Sequence, residues 1–148
     1  MTVFDLDLDR QICHSLYSAA NAMIRAYRPL LDPLGLTYPQ YVVMLSLWQQ
    51  DGVSVKHLSE HTRLDSGTLT PLLKRLEAKG LLQRKHSTTD ERQKVILLTG
   101  AGQQLKQQAL KVPGRMIRVS NLSEKDAIAL KHLCETLVNA LNKPPIPS

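Results

Sequence analysis

Apolar residues recur at helical spacing near the N-terminus: Ile12, Cys13, Leu16, Ala20, Met23, Ile24, Tyr27 and Leu31. They predict a long helix over 9–31 that Asp9 caps and Pro29 bends or ends. LDPLGLTYP then reads as a loop, from which Thr37 caps a second helix with Pro39 in its first turn and YVVMLSLW as its buried body. Asp51-Gly52 closes that helix, and Ser54 caps a two-turn helix, VKHLSEHT. Arg63-Leu64-Asp65 leads into SGTLTPLLKRLEAKG, a helix with Leu69, Leu72, Leu73 and Leu76 facing inward and Gly80 as a left-handed stop. A cap at Asp65 or Ser66 puts Pro71 in the second turn; a cap at Thr70 puts it first, and the earlier cap is preferred.

After Gly80 the period changes from helical to two. LLQRK and KVILL are short strand-like runs around the polar HSTTDERQ, a hairpin with a charged tip. Thr99 caps a further helix through Arg118, interrupted at Pro113-Gly114. Ser123 with Asp126 forms a capping box for a last helix whose stripe is Ala127, Leu130, Cys134, Leu137, Val138 and Leu141. The fold class is therefore mainly α with a small β-hairpin wing. Two helices joined by a short turn and followed by a hairpin make a winged helix-turn-helix over 53–99. In that arrangement the second helix enters a major groove and the hairpin reaches the backbone or minor groove.

Charge sharpens this picture. The 148 residues carry 19 Lys+Arg against 13 Asp+Glu, a net charge of +6. Residues 1–55 hold three basic and five acidic side chains, net −2, whereas 56–94 hold nine and five, net +4, and 95–148 seven and three, again net +4. A basic middle after an acidic start favours a polyanionic partner without saying which, and the winged helix-turn-helix makes that partner double-stranded DNA. On the second helix of the motif, Ser66, Thr68 and Thr70 can reach phosphates or base edges, with Lys74 and Arg75 further along for the backbone. On the hairpin, Arg84, Lys85, Arg92 and Lys94 add cations, and Asp90 is placed to pair with Arg92. Read alone, such a helix is equally an amphipathic surface helix with a solvated face.

Two cysteines, Cys13 and Cys134, show neither a disulfide-scaffold pattern nor zinc-ligand spacing, and no metal or cofactor site is read. Residues 1–9 have Asp5, Asp7 and Asp9 without a basic residue, unlike a secretory signal. The uncharged stretch Pro33–Gln50 is broken by Pro33, Gly35 and Pro39, too short an apolar run to span a bilayer. The expectation is a cytoplasmic chain with no membrane partner.

The motifs DERQKVILLT, YPQYVVMLSLW, LDSGTLTPLLKRLEAKGLLQR and ICHSLYSAANAMIRAYRPLLDPLGLTYPQY resemble the MarR-type winged-helix regulators, in their organic-hydroperoxide sensor (OhrR) branch. The resemblance runs from about Leu8 to Thr99 and more weakly to the last helix. It implies a homodimeric repressor on a palindromic operator, not an enzyme. Residues 9–36 and 115–148 would then form the dimerisation helices, and 37–114 the DNA-binding lobe. It also implies that an organic hydroperoxide oxidises Cys13 and releases DNA, and that Tyr27 and Tyr38 of the partner chain hydrogen-bond the reactive sulfur. Cys134 lies where a two-cysteine subtype carries a resolving cysteine; capture by a small thiol is the alternative.

From the residues alone, Cys13 and Cys134 read as small packing residues on apolar faces. The helix dipole favours a thiolate at Cys13, while Asp7 and Asp9 oppose it. Tyr17 lies one turn from Cys13. Tyr27 lies about 21 Å further along the helix, so only an antiparallel two-fold partner brings it to that sulfur. His14 departs from the aromatic residue that the resemblance implies beside the cysteine. Two other readings stand: a winged-helix repressor released by a non-covalent phenolic ligand, and a thiol peroxidase, for which no arginine or threonine is arranged beside Cys13.

Overall fold

The computed structural model describes residues 5–89 and 93–143. Local side-chain caps set most of its helix starts. Helix α1 (Ile12–Leu31) is followed by a 3₁₀ turn (Asp32–Leu34) and by α2 (Tyr38–Gln49). Thr37 and Gln40 make a complete capping box: Thr37 Oγ1 accepts the Gln40 N–H at 3.3 Å, and Gln40 Oε1 accepts the Thr37 N–H at 3.1 Å. A two-residue strand β1 (Val53–Ser54) leads into α3 (Val55–Thr62), capped by Ser54, and then into α4 (Ser66–Ala78), capped by Asp65.

Strands β2 (Leu82–His86) and β3 (Lys94–Leu98) form the hairpin, with Leu82 opposite Leu98 and His86 opposite Lys94. Helices α5 (Gly100–Ala109), α6 (Val112–Ser120) and α7 (Glu124–Leu141) complete the order.

Four differences from the sequence reading have local causes. The first helix begins after Gln11, not at Asp9: Asp7 caps a separate 3₁₀ turn (Leu8–Arg10) by accepting the Asp9 N–H at 3.1 Å. Pro29, expected to bend or end α1, does not end it: the helix runs two residues further, to Leu31. The break expected at Pro113-Gly114 falls earlier, at Leu110-Lys111, because a proline is tolerated in the first turn of α6, where it forfeits no helical donor. The wing has three strands rather than two: Val53 and Ser54 pair with Ile96 and Val95, giving the order β1-β3-β2. Asp51 fastens this corner, its Oδ1 accepting the N–H groups of Gly52 at 2.8 Å and Leu98 at 2.9 Å.

The chain divides into two compact units, one ending at Val112 and one starting at Pro113. The core of the first unites Leu31, Leu34 and Leu36 with Tyr41, Val43, Met44 and Leu47 of α2. Leu58 of α3, the four leucines expected inside α4, and Leu82 and Ile96 of the hairpin join it, with Val53, Ala109 and Val112. The end of α1 is thus built into the same core as α4 and the wing. In the second unit, α7 has no buried residue; Ile128, Leu133 and Leu141 are each more than 60% exposed, at 63%, 65% and 73%. Ser123 caps α7 by accepting the Asp126 N–H at 3.1 Å. Among the described residues, no helix is long and apolar enough to cross a membrane, and no group of three or more His, Cys, Asp or Glu is placed to hold a metal ion.

Candidate DNA interface and thiol site

Helix α4 carries the residues expected to meet DNA. Ser66, Thr68, Thr70, Lys74 and Arg75 are all exposed, while Leu69, Leu72, Leu73 and Leu76 anchor the opposite face. The Asp65 cap accepts the Thr68 N–H at 2.7 Å, and hydrogen bonds from the Thr68 and Gly67 amides hold its carboxyl below the usual range. Thr70 spends its hydroxyl proton on the Ser66 carbonyl at 2.8 Å, four residues back, so its oxygen faces outward as an acceptor.

At the far end Gly80 adopts φ +75°. Its N–H reaches the Glu77 carbonyl at 2.9 Å and the Leu81 N–H reaches Leu76 at 3.1 Å, a Schellman closure that turns the chain directly into the hairpin. Lys79 then ties the end of α4 to the start of α2, donating to the Gly35 carbonyl and, at 2.9 Å, to Gln40 Oε1.

On the wing, Lys85 and Lys94 are exposed. Arg84, expected as a DNA contact, is paired within the protein: its Nη2 and Nε donate to Glu77 Oε1 at 2.9 and 3.2 Å, and its backbone N–H to Oε2 at 2.9 Å. Glu77 was not singled out in the sequence, since a glutamate seven residues before an arginine spans a helix end and a turn. Those bonds, with Arg84 and Lys94 charges nearby, hold its carboxyl below the usual range. Asp90 and Arg92 lie outside the described residues. On α3, the rings of His57 and His61 lie 5.8 Å apart, and His61 Nδ1 shares a 2.6 Å hydrogen bond with the buried Ser46 hydroxyl.

The thiol site begins at Cys13, the second residue of α1, and its side chain is exposed. No side chain caps this helix start, and its first turn holds no acidic residue. The acidic run before it is partly neutralised internally, because Arg10 pairs with Asp5 and, at 3.9 Å, with Asp7. Tyr17, one turn on, is 70% exposed.

Tyr27 is elsewhere, half-buried, its ring 5.1 Å from that of Tyr38 and 5.7 Å from that of Tyr41. Burial, and then the neighbouring Tyr41 and Tyr38 hydroxyls, push its own hydroxyl up to about 12. The structure thus joins Tyr27 to Tyr38 and adds Tyr41, which the sequence placed only in the buried body of α2; their three-residue spacing on one helix was the available signal. Cys134 is half-buried on α7.

Comparison with known proteins agrees with this architecture. A model of the MarR family matches residues 36–94. The chain is 44% identical over 138 residues, 93% of its length, to the organic hydroperoxide resistance transcriptional regulator of Bacillus subtilis (strain 168), covering 94% of that protein. Reduced AbfR bound to DNA superposes with a TM-score of 0.75 at 33% identity, covering 92% of this chain and 96% of that one. The disulfide form of AbfR superposes with a TM-score of 0.65 at 32% identity, covering 88% and 92%.

Proposed function

The chain belongs to the MarR family of winged-helix transcriptional regulators, and from that premise we propose that it is a homodimeric repressor switched by oxidation of Cys13. The observation that carries this reading is the place of Cys13: an exposed thiol in the uncapped first turn of α1, rather than a packed core residue. An organic hydroperoxide transfers its terminal oxygen to the Cys13 sulfur, its O–O bond breaking; the thiol proton leaves with the alkoxide, giving a sulfenic acid and the corresponding alcohol. The Cys134 thiol of the partner chain then displaces water from that sulfenic acid to form a disulfide.

Several features support the rest. The basic, hydroxyl-bearing face of α4 and the lysines of the wing suit a palindromic double-stranded operator. Ile128, Leu130, Leu133 and Leu141 of α7 are exposed in the single chain, apolar surface that a dimerisation helix would cover. Likeness to a hydroperoxide-resistance regulator and to a protein with reduced, DNA-bound and disulfide forms favours a redox trigger over a non-covalent one.

The test uses a duplex selected by the reduced protein from a random-sequence pool. Cumene hydroperoxide should release it from the wild-type chain and not from Cys13→Ser in a gel-shift titration. Release that persists in Cys13→Ser overturns the mechanism.

A further inference from the structure

The order β1-β3-β2 leaves β2 as an edge strand, and its outward backbone donor at Arg84 is taken by a side chain from the neighbouring helix. Glu77 lies in the last turn of α4 and commits both carboxylate oxygens to this one residue of the wing. Three hydrogen bonds to two rigid groups, a strand amide and a planar guanidinium, fix direction as well as distance. Arg84 lies six residues beyond the end of α4 at Ala78, and the hairpin has no freedom to pivot there without breaking them. Its exposed cations, Lys85 and Lys94, flank this anchor: Lys85 is the next residue on β2, and Lys94 opposes His86 across the ladder.

We propose that Glu77 is a positioning residue for DNA binding: through Arg84 it sets the angle between the wing and the recognition helix, so that both engage one duplex together. The inference rests on the DNA-binding reading of the family. It makes a distinctive prediction because electrostatics alone points the other way. Glu77 is an anion on a basic lobe, so removing its charge should tighten binding to a polyanion if charge were all that mattered. A positioning role demands the reverse. It also separates Arg84 from the lysines: Arg84 acts by holding the wing, not by spending its guanidinium on phosphate.

The experiment measures binding of the same selected duplex by fluorescence anisotropy over a series of salt concentrations. The reduced full-length chain is compared as wild type, Glu77→Gln, Arg84→Met and the double variant, with the active fraction of each fixed by stoichiometric titration. Glu77→Gln should bind about fivefold more weakly despite its lost negative charge. Its salt dependence should flatten by roughly one phosphate contact as the wing lysines lose their place. The double variant should bind no more weakly than Arg84→Met.

Binding by Glu77→Gln as tight as wild type or tighter overturns the proposal, as does a salt dependence unchanged from wild type. Additive losses in the double variant also overturn it, since Glu77 would then not act through Arg84. A wild-type chain that selects no duplex would overturn the DNA-binding reading, and this inference with it.

Discussion

The ring of Tyr27 on α1 packs 5.1 Å from the ring of Tyr38 at the start of α2, tilted 41° to it, in a contact that joins the thiol-bearing helix to the helix that leads into the DNA-binding motif. Tyr38 follows the Thr37 cap directly, and the Gln40 of that capping box accepts from Lys79 at the end of α4. The tyrosine cluster and the framework that holds α4 therefore meet in the first turn of α2, at neighbouring residues. If Tyr27 of a partner subunit donates to the Cys13 sulfur, Tyr27→Phe should keep the ring contact and remove only the donor. Stability should change by less than about 1 kcal/mol, while the rate at which cumene hydroperoxide consumes the Cys13 thiol, followed by mass spectrometry, should fall severalfold. An unchanged rate with an unchanged fold removes Tyr27 from the site.

The same burial gives stability an alkaline limit. Tyr27 holds its proton more tightly in the folded chain than at its ordinary value of 10.0, with its own ionisation delayed to about 12. Below 10 both states are protonated and the full contribution is present. As pH rises from there the unfolded chain loses the proton first, so stability drains away until the folded chain ionises at about 12. Tyr41, also raised by burial, acts in the same direction. Urea melts across this interval should show a falling midpoint, and Tyr27→Phe should flatten the fall. An equal slope in that variant would show that Tyr27 is not its source.

Gly102 and Gly114 should respond oppositely to alanine. A Cβ at Gly102 would stand 2.1 Å from the Leu81 carbonyl oxygen, a backbone atom at the base of the hairpin that cannot swing aside. The Gly102 carbonyl also accepts the Trp48 indole N–H at 2.9 Å, so any shift pulls on α2 as well. Gly102→Ala should cost more than about 2 kcal/mol. A Cβ at Gly114, within α6, meets nothing within 4 Å. Gly114→Ala should be neutral or stabilise by up to about 1 kcal/mol. Thermal melts of the two variants decide this, and a Gly102→Ala chain as stable as wild type would contradict the close approach.

Features closed by neighbouring residues were legible in the sequence. The caps at Thr37, Ser54, Asp65, Thr99 and Ser123 each place a side-chain oxygen on an amide three residues ahead, and Gly80 announces a helix stop by its lack of a Cβ. Competition between local options was harder to read. Asp9 resembles a helix cap, yet Asp7 captures its amide first and builds a separate turn.

Contacts between distant residues were not legible at all. Strand β1 has two residues, too few for any periodicity, and owes its existence to pairing with β3 more than forty positions later. In the sequence Arg84 reads as a DNA-facing cation of the hairpin and Glu77 carries no role; the tight turn at Gly80 brings the two together. For the candidate site, the sequence separated Tyr27 from Cys13 correctly by helical rise, but hid Tyr41 among the apolar residues around it.

Cys134 offers the sharpest separation between packing and chemistry. On α7 it is half-buried, as are Leu137 and Val138 on the same helix, and none of the helix's residues is fully buried. If its role is packing, Cys134→Ser lowers stability slightly and leaves oxidation unchanged. If it resolves the Cys13 sulfenic acid, the reduced variant should bind the selected duplex like wild type. After cumene hydroperoxide it should then run as a monomer on a non-reducing gel, where wild type runs as a covalent dimer. Mass spectrometry of that monomer should find Cys13 as the sulfenic acid or, with a small thiol added, as its mixed disulfide, because the oxidised sulfur has lost its partner. A reducible dimer that still forms in Cys134→Ser would leave Cys13 as the only thiol able to bridge the chains, and the resolving role would be lost.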